Sequence, residues 1–479
     1  MFKLKEKKAK VITEIIAGIT TFVTMAYIIF VNPQIVSGGA VEAALKGGMT
    51  AEAANVLGET LKSSLFVATC LSAFFGTLLM GLLANLPFAQ APGMGLNAFF
   101  AYTVMLTMGY SYPEALAIVF ISGLLFLLIT AVGMRTFIAK SIPKNIKIAI
   151  SVGIGFFIAF IGLKNAGLVQ DHSSTLVTLI DFKTVLAGEN PALAFGAVVA
   201  LVGLVIITVL HRFKVPGGIL LGIVATTAVY YAAGIPLGLV EWAGASIDVS
   251  TVGSQFGTWA KTSLFQNFTN GFQGLFDGKS LLGSIATVFM VVISFSLVDM
   301  FDTLGTLLGT ARNAKMLDEN GELPEMKKAM YADSIATTVG ACMGTPTVTT
   351  YVESSAGVSV GGKTGLTSVV TAILFLGALF AAPFIGLVPD VATAPVLIFV
   401  GVLMIGAVKE LDFDDFTEIV PAFVTIAFMP FTYSIANGIA FGLITHLLIK
   451  LLTLKLKDIS ITEIILVALF IVRFFFMSA

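Results

Sequence analysis

Residues 344–362 read GTPTVTTYVESSAGVSVGG, and the segments on either side of them are almost wholly apolar. A proline, several glycines and a run of β-branched residues favour extended chain over helix here. A second stretch, NLPFAQAPGMGLNAFF at 85–100, has the same character. Because lipid cannot pair the N–H and C=O groups of extended backbone, we expect the two stretches to lie against each other inside the protein. Each is then followed by a half-helix, which begins near Gly95 in one case and near Glu353 in the other.

The composition is typical of a chain embedded in a membrane. Of the 479 residues, 57% are hydrophobic and 11% are charged, whereas soluble domains carry about 25% charged residues. Apolar runs recur along the chain, and we predict fourteen segments at 12–36, 63–85, 92–107, 113–134, 146–163, 192–211, 216–234, 281–311, 329–345, 351–361, 365–387, 392–408, 417–432 and 434–452. A fifteenth apolar stretch, 459–476, is predicted to be either a short span or a helix at the membrane interface.

Positive charge alternates between the loops. Lysine and arginine cluster in the N-terminal tail and after segments four, six, eight and fourteen, whereas the loops 164–191 and 235–280 contain few of them. Because cytoplasmic loops are enriched in Lys and Arg, this pattern predicts a cytoplasmic N-terminus and an extracytoplasmic linker between segments seven and eight. Seven is odd, so the two halves have opposite orientations, as in inverted-repeat transporters.

Three acidic residues lie at depths where charge is costly. Asp299 and Asp302 end the apolar run that starts near Leu281, and their spacing places them on roughly one helix face. Glu353 lies at the predicted start of the second half-helix, where backbone N–H groups are free. Asn97 lies just inside the first half-helix. Acids inside a membrane usually mark a functional site, and the alternative is that these side chains cap helices or bond to nearby backbone.

The chemistry of this set favours a flat heterocycle as the ligand. Carboxylates accept hydrogen bonds from ring N–H groups, and free backbone N–H groups donate to ring nitrogens and carbonyls. A small inorganic anion fits less well, because Glu353 would repel it. A buried carboxylate can also take up a proton on one side of the membrane and release it on the other, which is the chemistry of proton coupling.

Other reactive residues form no recognisable site in the sequence. Cys70 and Cys342 both lie in apolar segments, and the three histidines are far apart. We therefore predict no disulfide, no metal site and no cofactor. Asp333 lies early in the ninth segment and is a candidate for supporting the site from behind. An intramembrane aspartyl protease is disfavoured, since both aspartates lie on one helix and the chain has no GxGD motif.

Four stretches of the chain match a known family, and they are TEIIAGITTFVTMAYIIFVNP (13–33), APGMGLNAFFAY (91–102), SLVDMFDTLGT (296–306) and TPTVTTYVESSAGV (345–358). Together they resemble the nucleobase:cation symporter-2 family, in its AzgA-like branch of hypoxanthine, guanine and adenine permeases. The residue Thr303 stands where uracil-type members carry a histidine, which argues against a uracil transporter. Val352 stands where those members carry glycine.

The resemblance implies an all-α polytopic membrane protein of fourteen segments, built as a seven-plus-seven inverted repeat with short antiparallel strands in the broken segments 3 and 10. It implies an elevator-like movement of a core domain against a gate domain, in a homodimer driven by protons. The implied core is 11–136 with 281–388, the gate is 143–235 with 391–455, the extracytoplasmic linker is 236–280, and the extra C-terminal segment is 459–476.

The resemblance also implies roles for the candidate site residues. Asp299 matches the acid of the eighth helix that grips the purine ring, and Glu353 matches the tenth-segment acid that binds the opposite edge. Gly95 and Asn97 match third-segment residues of the purine branch, and Asp302 matches a second acid tied to function. The predicted proton carriers are Asp299, Asp302 and Glu353, and the predicted substrate contacts also include Met94, Tyr351 and Val352.

We therefore predict a transporter, not an enzyme, that takes up purine nucleobases with protons across a bacterial inner membrane, with no nucleic-acid partner. Sodium remains open as the coupling ion, and so does the ranking of hypoxanthine, guanine and adenine. The alternatives are a transporter of the same fold for uracil, xanthine or an inorganic anion, and a channel. The spatial expectation is that the two broken stretches converge, with Asp299 turned towards the gap between them.

Overall fold

A computed structural model describes residues 2–133, 143–172, 174–185, 190–242, 250–275, 281–314, 316–318 and 323–476. Within these residues nearly all regular structure is helical, and nine helices are long and apolar enough to cross a membrane. The helices are α1 Val11–Met25, α2 Ile28–Lys46, α3 Ala51–Leu79, α4 Met94–Ala98, α5 Tyr112–Val132, α6 Lys144–Asn165, α7 Pro191–Arg212, α8 Gly218–Gly234, α9 Ser250–Thr262, α10 Leu281–Asn313, α11 Met326–Met343, α12 Ser354–Ser359, α13 Gly365–Gly377, α14 Asp390–Ile405, α15 Phe416–Phe431, α16 Ile435–Leu452 and α17 Ile461–Phe476. The strands are β1 Gln90–Pro92, β2 Val169–His172, β3 Leu176–Leu179 and β4 Val348–Thr350, and shorter π or 3-10 turns extend α3, α4, α13 and α14 through Met80–Ala84, Phe99–Thr107, Ala378–Leu387 and Gly406–Glu410.

Each of the fourteen predicted segments contains a helix, or a strand followed by a helix. The two halves of the chain pack in the same way. Helix α5 packs on α11 as its counterpart α13 packs on α3, and α7 packs on α14 as α15 packs on α6. Helix α6 packs on its own counterpart α14. The mirrored contacts confirm the inverted repeat that the odd number of segments predicted.

The helices fall into two groups by their contacts. The first group contains α1–α5 and α10–α13, and the second contains α6–α8 and α14–α16. Extensive packing occurs within each group, whereas the groups meet along a narrower seam. An arrangement of this kind leaves room for a cavity where the groups face each other.

The two broken stretches meet in the first group, as the sequence predicts. Strand β1 pairs antiparallel with β4, with Gln90 opposite Thr350 and Pro92 opposite Val348. All six strand residues are buried. Further backbone bonds join Gly93 to Thr347 and Tyr351 to Ala89 at the two ends of the pair. The following half-helices begin at Met94 and Ser354, each one residue from the predicted starts.

Several boundaries differ from the prediction because helices continue beyond the apolar runs. Helix α2 runs to Lys46, ten residues past the predicted end, since its Ala-rich end favours helix until the Gly47–Gly48 pair, where Gly48 adopts φ +88°. Helix α3 begins at Ala51, where Thr50 caps it. Hydropathy reports the part of a helix that is in contact with lipid and misses such polar extensions.

The regions predicted as extracytoplasmic loops contain structure that the sequence did not predict. Strands β2 and β3 form a hairpin within 164–191. Helix α9, inside the predicted linker, packs on α3 and on the turns after α13. Trp259 Nε1 donates to the carbonyl of Met343 at 2.8 Å, and Gln255 Nε2 donates to that of Ala382 at 3.3 Å. Helix α9 of the linker therefore covers one face of the first helix group.

The C-terminal apolar stretch forms α17, which packs on α16 and also on α10. Its buried Glu463 lies 2.6 Å from Nδ1 of His446 on α16. Other side chains of the same helix, such as Ile461 and Ile465, are exposed. Helix α17 thus contacts both helix groups while presenting an apolar face outward.

Candidate substrate site at the two paired strands

A cavity of about 1250 Å³ lies between the two helix groups. At its closed end are the paired strands and the helices that follow them. At its mouth are charged residues from the side of the molecule on which the first helix begins. The closed end is lined by Tyr27, Gly95, Asp302, Thr349, Tyr351 and Glu353, and the mouth by Lys147, Asp318, Lys327 and Glu410.

Glu353 provides one wall of the closed end. It immediately precedes α12, where a negative charge is favoured by the helix dipole. The hydroxyl of Tyr27 donates to its Oε1 at 2.5 Å. The N–H groups of Ser354, Ser355 and Ala356 bond to the carbonyls three residues earlier. The carboxylate, rather than the backbone of α12, is therefore the polar group that this side offers to a ligand.

The opposite wall offers backbone donors. Met94, Gly95 and Leu96 open α4 and line the cavity. Among the described residues, their N–H groups have no backbone carbonyl as a partner, as expected for the first turn of a helix. A Cβ at Gly95 would lie 2.7 Å from Cγ2 of Ile154 on α6, so glycine lets α6 approach this turn.

The two aspartates of α10 occupy different environments. Asp302 lines the cavity together with Thr349 of β4. Asp299 is 1% exposed and does not line the cavity, and its Oδ2 accepts a hydrogen bond from Thr337 on α11 at 3.3 Å. The helix turn between them directs Asp302 to the cavity and Asp299 behind β4. The direct contact to a substrate predicted for Asp299 stays a prediction, and in this structure Asp302 holds the corresponding place in the wall.

A third carboxylate supports the strands from behind. Asp333 on α11 is fully buried. It accepts hydrogen bonds from Gln90 of β1 at 3.0 Å, from Thr350 of β4 at 3.4 Å and from Thr303 of α10 at 2.7 Å. Asp333 therefore ties both strands to the helix that carries Asp302, which is the supporting position expected for it.

The remaining predicted residues lie around the paired strands β1 and β4. Asn97 is fully buried and donates to the carbonyl of Pro92 at 3.3 Å, which is a bond at the start of its helix, and it does not line the cavity. The hydroxyl of Tyr351 donates to the same carbonyl. Tyr351 and Met94 line the cavity, as does Val352, which is 54% exposed.

Sequence reasoning missed Tyr27 as a site residue. The chain breaks between α1 and α2 at Ala26 and Tyr27, and this break brings the phenol to Glu353. A signal was available, since Tyr27 is a hydrogen-bonding side chain near the middle of an apolar segment. Thr349 and Thr350 were also missed, because their place in a predicted strand explained them without a role in the cavity wall.

The side of the molecule opposite the cavity mouth is closed by polar contacts between the two helix groups. Lys62 of α3 pairs with Asp390 of α14 at 3.5 Å, and Glu42 of α2 pairs with Lys164 of α6 at 3.7 Å. Thr103 donates to the carbonyl of Tyr433 at 2.9 Å. Among the described residues, these contacts separate the closed end of the cavity from the side opposite its mouth.

An inverted repeat of membrane-spanning helices, with a one-sided cavity at two broken segments, defines a multi-pass membrane transporter. A family model described as "Permease family" matches residues 12–441. The chain belongs to this family, the nucleobase:cation symporter-2 permeases.

Similar proteins are permeases rather than enzymes. The chain is 39% identical to the adenine permease AdeP of Escherichia coli (strain K12), over 100% of this chain and 96% of that protein. It is 38% identical to the guanine/hypoxanthine permease PbuG of Bacillus subtilis (strain 168), over 100% and 99%. The fold is similar to that of the transmembrane domain of the cyanobacterial bicarbonate transporter BicA, with a TM-score of 0.59 and 16% identity over 89% of this chain and 96% of that chain.

Proposed function

We propose that this protein takes up purine nucleobases, namely adenine, guanine or hypoxanthine, together with protons. One observation carries the proposal: Asp302 and Glu353 face one cavity with the free N–H groups at the start of α4. A purine has ring N–H groups for the carboxylates and ring nitrogens or a carbonyl for the backbone donors. The adenine and guanine/hypoxanthine permeases among the relatives support this substrate class.

The arrangement of the helix groups supports transport by an elevator movement. In this proposal residues 11–136 and 281–388 form a core that carries the base, and residues 143–235 and 391–455 form a gate against which the core slides. The linker 236–280 remains outside. The cavity opens on the side where the chain begins, which corresponds to an inward-facing state if the N-terminus is cytoplasmic in a bacterial inner membrane. The elevator requires the contacts of Lys62 and Glu42 across the seam to break when the cavity opens outward.

Proton coupling is assigned to the acids of the first helix group. Asp299, Asp302 and Glu353 are the candidate carriers, and each lies close to the paired strands β1 and β4. A proton bound there neutralises a charge that would otherwise have to cross the hydrophobic part of the membrane with the core. The protein is expected to act as a homodimer.

Uptake of radiolabelled hypoxanthine and adenine by cells that express the protein tests the proposal. We expect Glu353→Gln and Asp302→Asn to reduce uptake at least about tenfold, since each removes a charged hydrogen-bond acceptor. Glu410→Gln is the matched control, because it makes the same change at the cavity mouth. Near-normal uptake and affinity for Glu353→Ala and Asp302→Ala would refute the site, and the same result for Asp299→Ala would remove Asp299 from the candidate proton carriers. Competition by uracil, xanthine or sulfate, but not by adenine, guanine or hypoxanthine, would identify another cargo. Currents without saturation would indicate a channel.

A further inference from the structure

Two threonines hold the strand pair in equivalent ways. The Thr77 hydroxyl on α3 accepts from the N–H of Gln90 at 2.9 Å and donates to its carbonyl at 2.8 Å. The Thr337 hydroxyl on α11 accepts from the N–H of Val348 at 3.2 Å and lies 3.1 Å from its carbonyl. Helices α3 and α11 are counterparts in the repeat, and both threonines are fully buried. Each therefore satisfies strand backbone that would otherwise be unpaired inside the protein.

The two threonines differ in one contact. Oγ1 of Thr337 also lies 3.3 Å from Oδ2 of Asp299. The hydrogen bonds of the Thr77 hydroxyl run to Gln90 alone among the described residues. A hydroxyl carries a single proton, so Thr337 can donate fully to Asp299 or to the carbonyl of Val348 but not to both. An ionised carboxylate is the stronger acceptor of the two.

We propose that Thr337 is a positioning residue that transmits the protonation state of Asp299 to strand β4. When Asp299 is ionised, the hydroxyl of Thr337 donates to the carboxylate and its hold on the carbonyl of Val348 weakens. When Asp299 takes up a proton, its oxygen becomes a poorer acceptor, and the hydroxyl returns to Val348. The inference rests on the proposed function, in which Asp299 is a candidate proton carrier.

The consequence reaches the substrate through the strand itself. Thr349, Thr350 and Tyr351 follow Val348 directly and line the closed end of the cavity. A change in the hold on β4 therefore changes the wall that a base contacts, although Asp299 does not line the cavity. The other charged groups that face this region are Asp302 on α10, Asp333 on α11, Glu353 before α12 and, from α6 at the cavity mouth, Lys147.

A double-mutant cycle separates this linkage from a merely structural role. Asp299→Asn mimics the protonated carboxyl, Thr337→Val removes the hydroxyl while keeping the branched shape, and Thr77→Val makes the same change at the counterpart. The dissociation constant of radiolabelled adenine or hypoxanthine is measured on purified protein for each single variant and for both pairs. Thr337→Ser and Thr337→Cys supply a retained hydroxyl and a weak donor in case the valine variant does not fold.

We expect Asp299→Asn to change the dissociation constant about tenfold in the wild-type and Thr77→Val backgrounds, and less than about twofold with Thr337→Val. Thr337→Ser should behave as wild type. Equal factors in the Thr337→Val and Thr77→Val backgrounds, or no effect of Asp299→Asn in the wild type, would overturn the inference.

Melting temperatures of the same proteins in detergent test the Thr337 linkage independently of purine binding, so that a failure of the linkage can be told apart from a failure of the proposed function. If the wild type binds no purine, the proposed function fails. The Thr337 linkage is then supported if Asp299→Asn shifts the melting temperature less with Thr337→Val than with Thr77→Val, and it is overturned if the two shifts are equal.

Discussion

Tyr27 and Glu353 are 326 residues apart in the chain, and the hydroxyl of one donates to the carboxylate of the other at 2.5 Å. The bond joins the break between α1 and α2 to the start of α12. Both side chains line the closed end of the cavity. The phenol therefore fixes which Glu353 oxygen is turned towards it and leaves the other available to a ligand.

Removing the phenol hydroxyl is expected to weaken substrate binding without preventing folding. A hydrogen bond to a charged group contributes about 1.5–3 kcal/mol, so Tyr27→Phe should raise the dissociation constant for a purine roughly tenfold or more. Calorimetric titration of purified protein measures this. Tyr230→Phe, in the second helix group and away from the cavity lining, is the control. An unchanged affinity for Tyr27→Phe would show that the bond does not orient the carboxylate for binding.

A methyl group at Gly95 is expected to impair transport because it clashes with Ile154, and a smaller residue at position 154 should relieve the clash. The added Cβ would meet Cγ2 of Ile154 at 2.7 Å, which forces α4 and α6 apart. Uptake should fall about tenfold or more in Gly95→Ala and recover at least in part when Ile154→Ala is added. Gly305→Ala lies on the cavity wall with open space around its Cβ and serves as the control. Failure of the double variant to recover would contradict the close-packing explanation.

Breaking the seam on the closed side is expected to shift the protein modestly towards the outward-open state. The pair of Lys62 with Asp390 is partly exposed, and such pairs contribute about 0–1 kcal/mol. Labelling of a buried Thr393→Cys by an impermeant thiol reagent should therefore rise by only about two- to fivefold in Lys62→Ala. The swap Lys62→Asp with Asp390→Lys should restore the slow rate. An equal labelling rate in the wild type, in Lys62→Ala and in the charge-swapped variant would show that this ion pair does not hold the closed side shut.

The buried pair of Glu463 with His446 is expected to dock α17. Its atoms approach to 2.6 Å, and both side chains are almost fully buried. Removing one partner of an isolated buried pair destabilises a protein by about 3–5 kcal/mol, and the loss is smaller here because Nε2 of His446 also lies 3.5 Å from Glu418 on α15. Glu463→Ala should still lower the melting temperature in detergent, whereas Glu52→Ala at the exposed start of α3 should not. A melting temperature equal to that of the wild type would show that α17 docks through its apolar contacts alone.

The sequence predicted the fold closely because membrane burial leaves few choices for the backbone. Apolar length located the segments, and the extended stretches at 85–100 and 344–362 had to pair with something inside the protein. The ladder of Gln90 with Thr350 meets that requirement. The hairpin β2–β3 and helix α9 lie outside the apolar runs, where the same constraint does not operate.

The site was predicted in its residue types but less well in its geometry. Spacing placed Asp299 and Asp302 on one face, yet a face is broad, and only the packing of β4 against α10 decides which carboxylate enters the cavity. Asn97 shows the same limit, since its helix-start bond to Pro92 and a ligand contact fit the sequence equally well. Tyr27 required a contact across 326 residues that no local pattern indicates.

Equilibrium binding of radiolabelled adenine, guanine and hypoxanthine to the purified protein tests the central claim most directly. We expect at least one of these bases to bind saturably, with an affinity that falls at least about tenfold in both Asp302→Asn and Glu353→Gln and stays within about twofold in Glu410→Gln. Purine binding that is equally strong in all four proteins, or absent from the wild type, would contradict it.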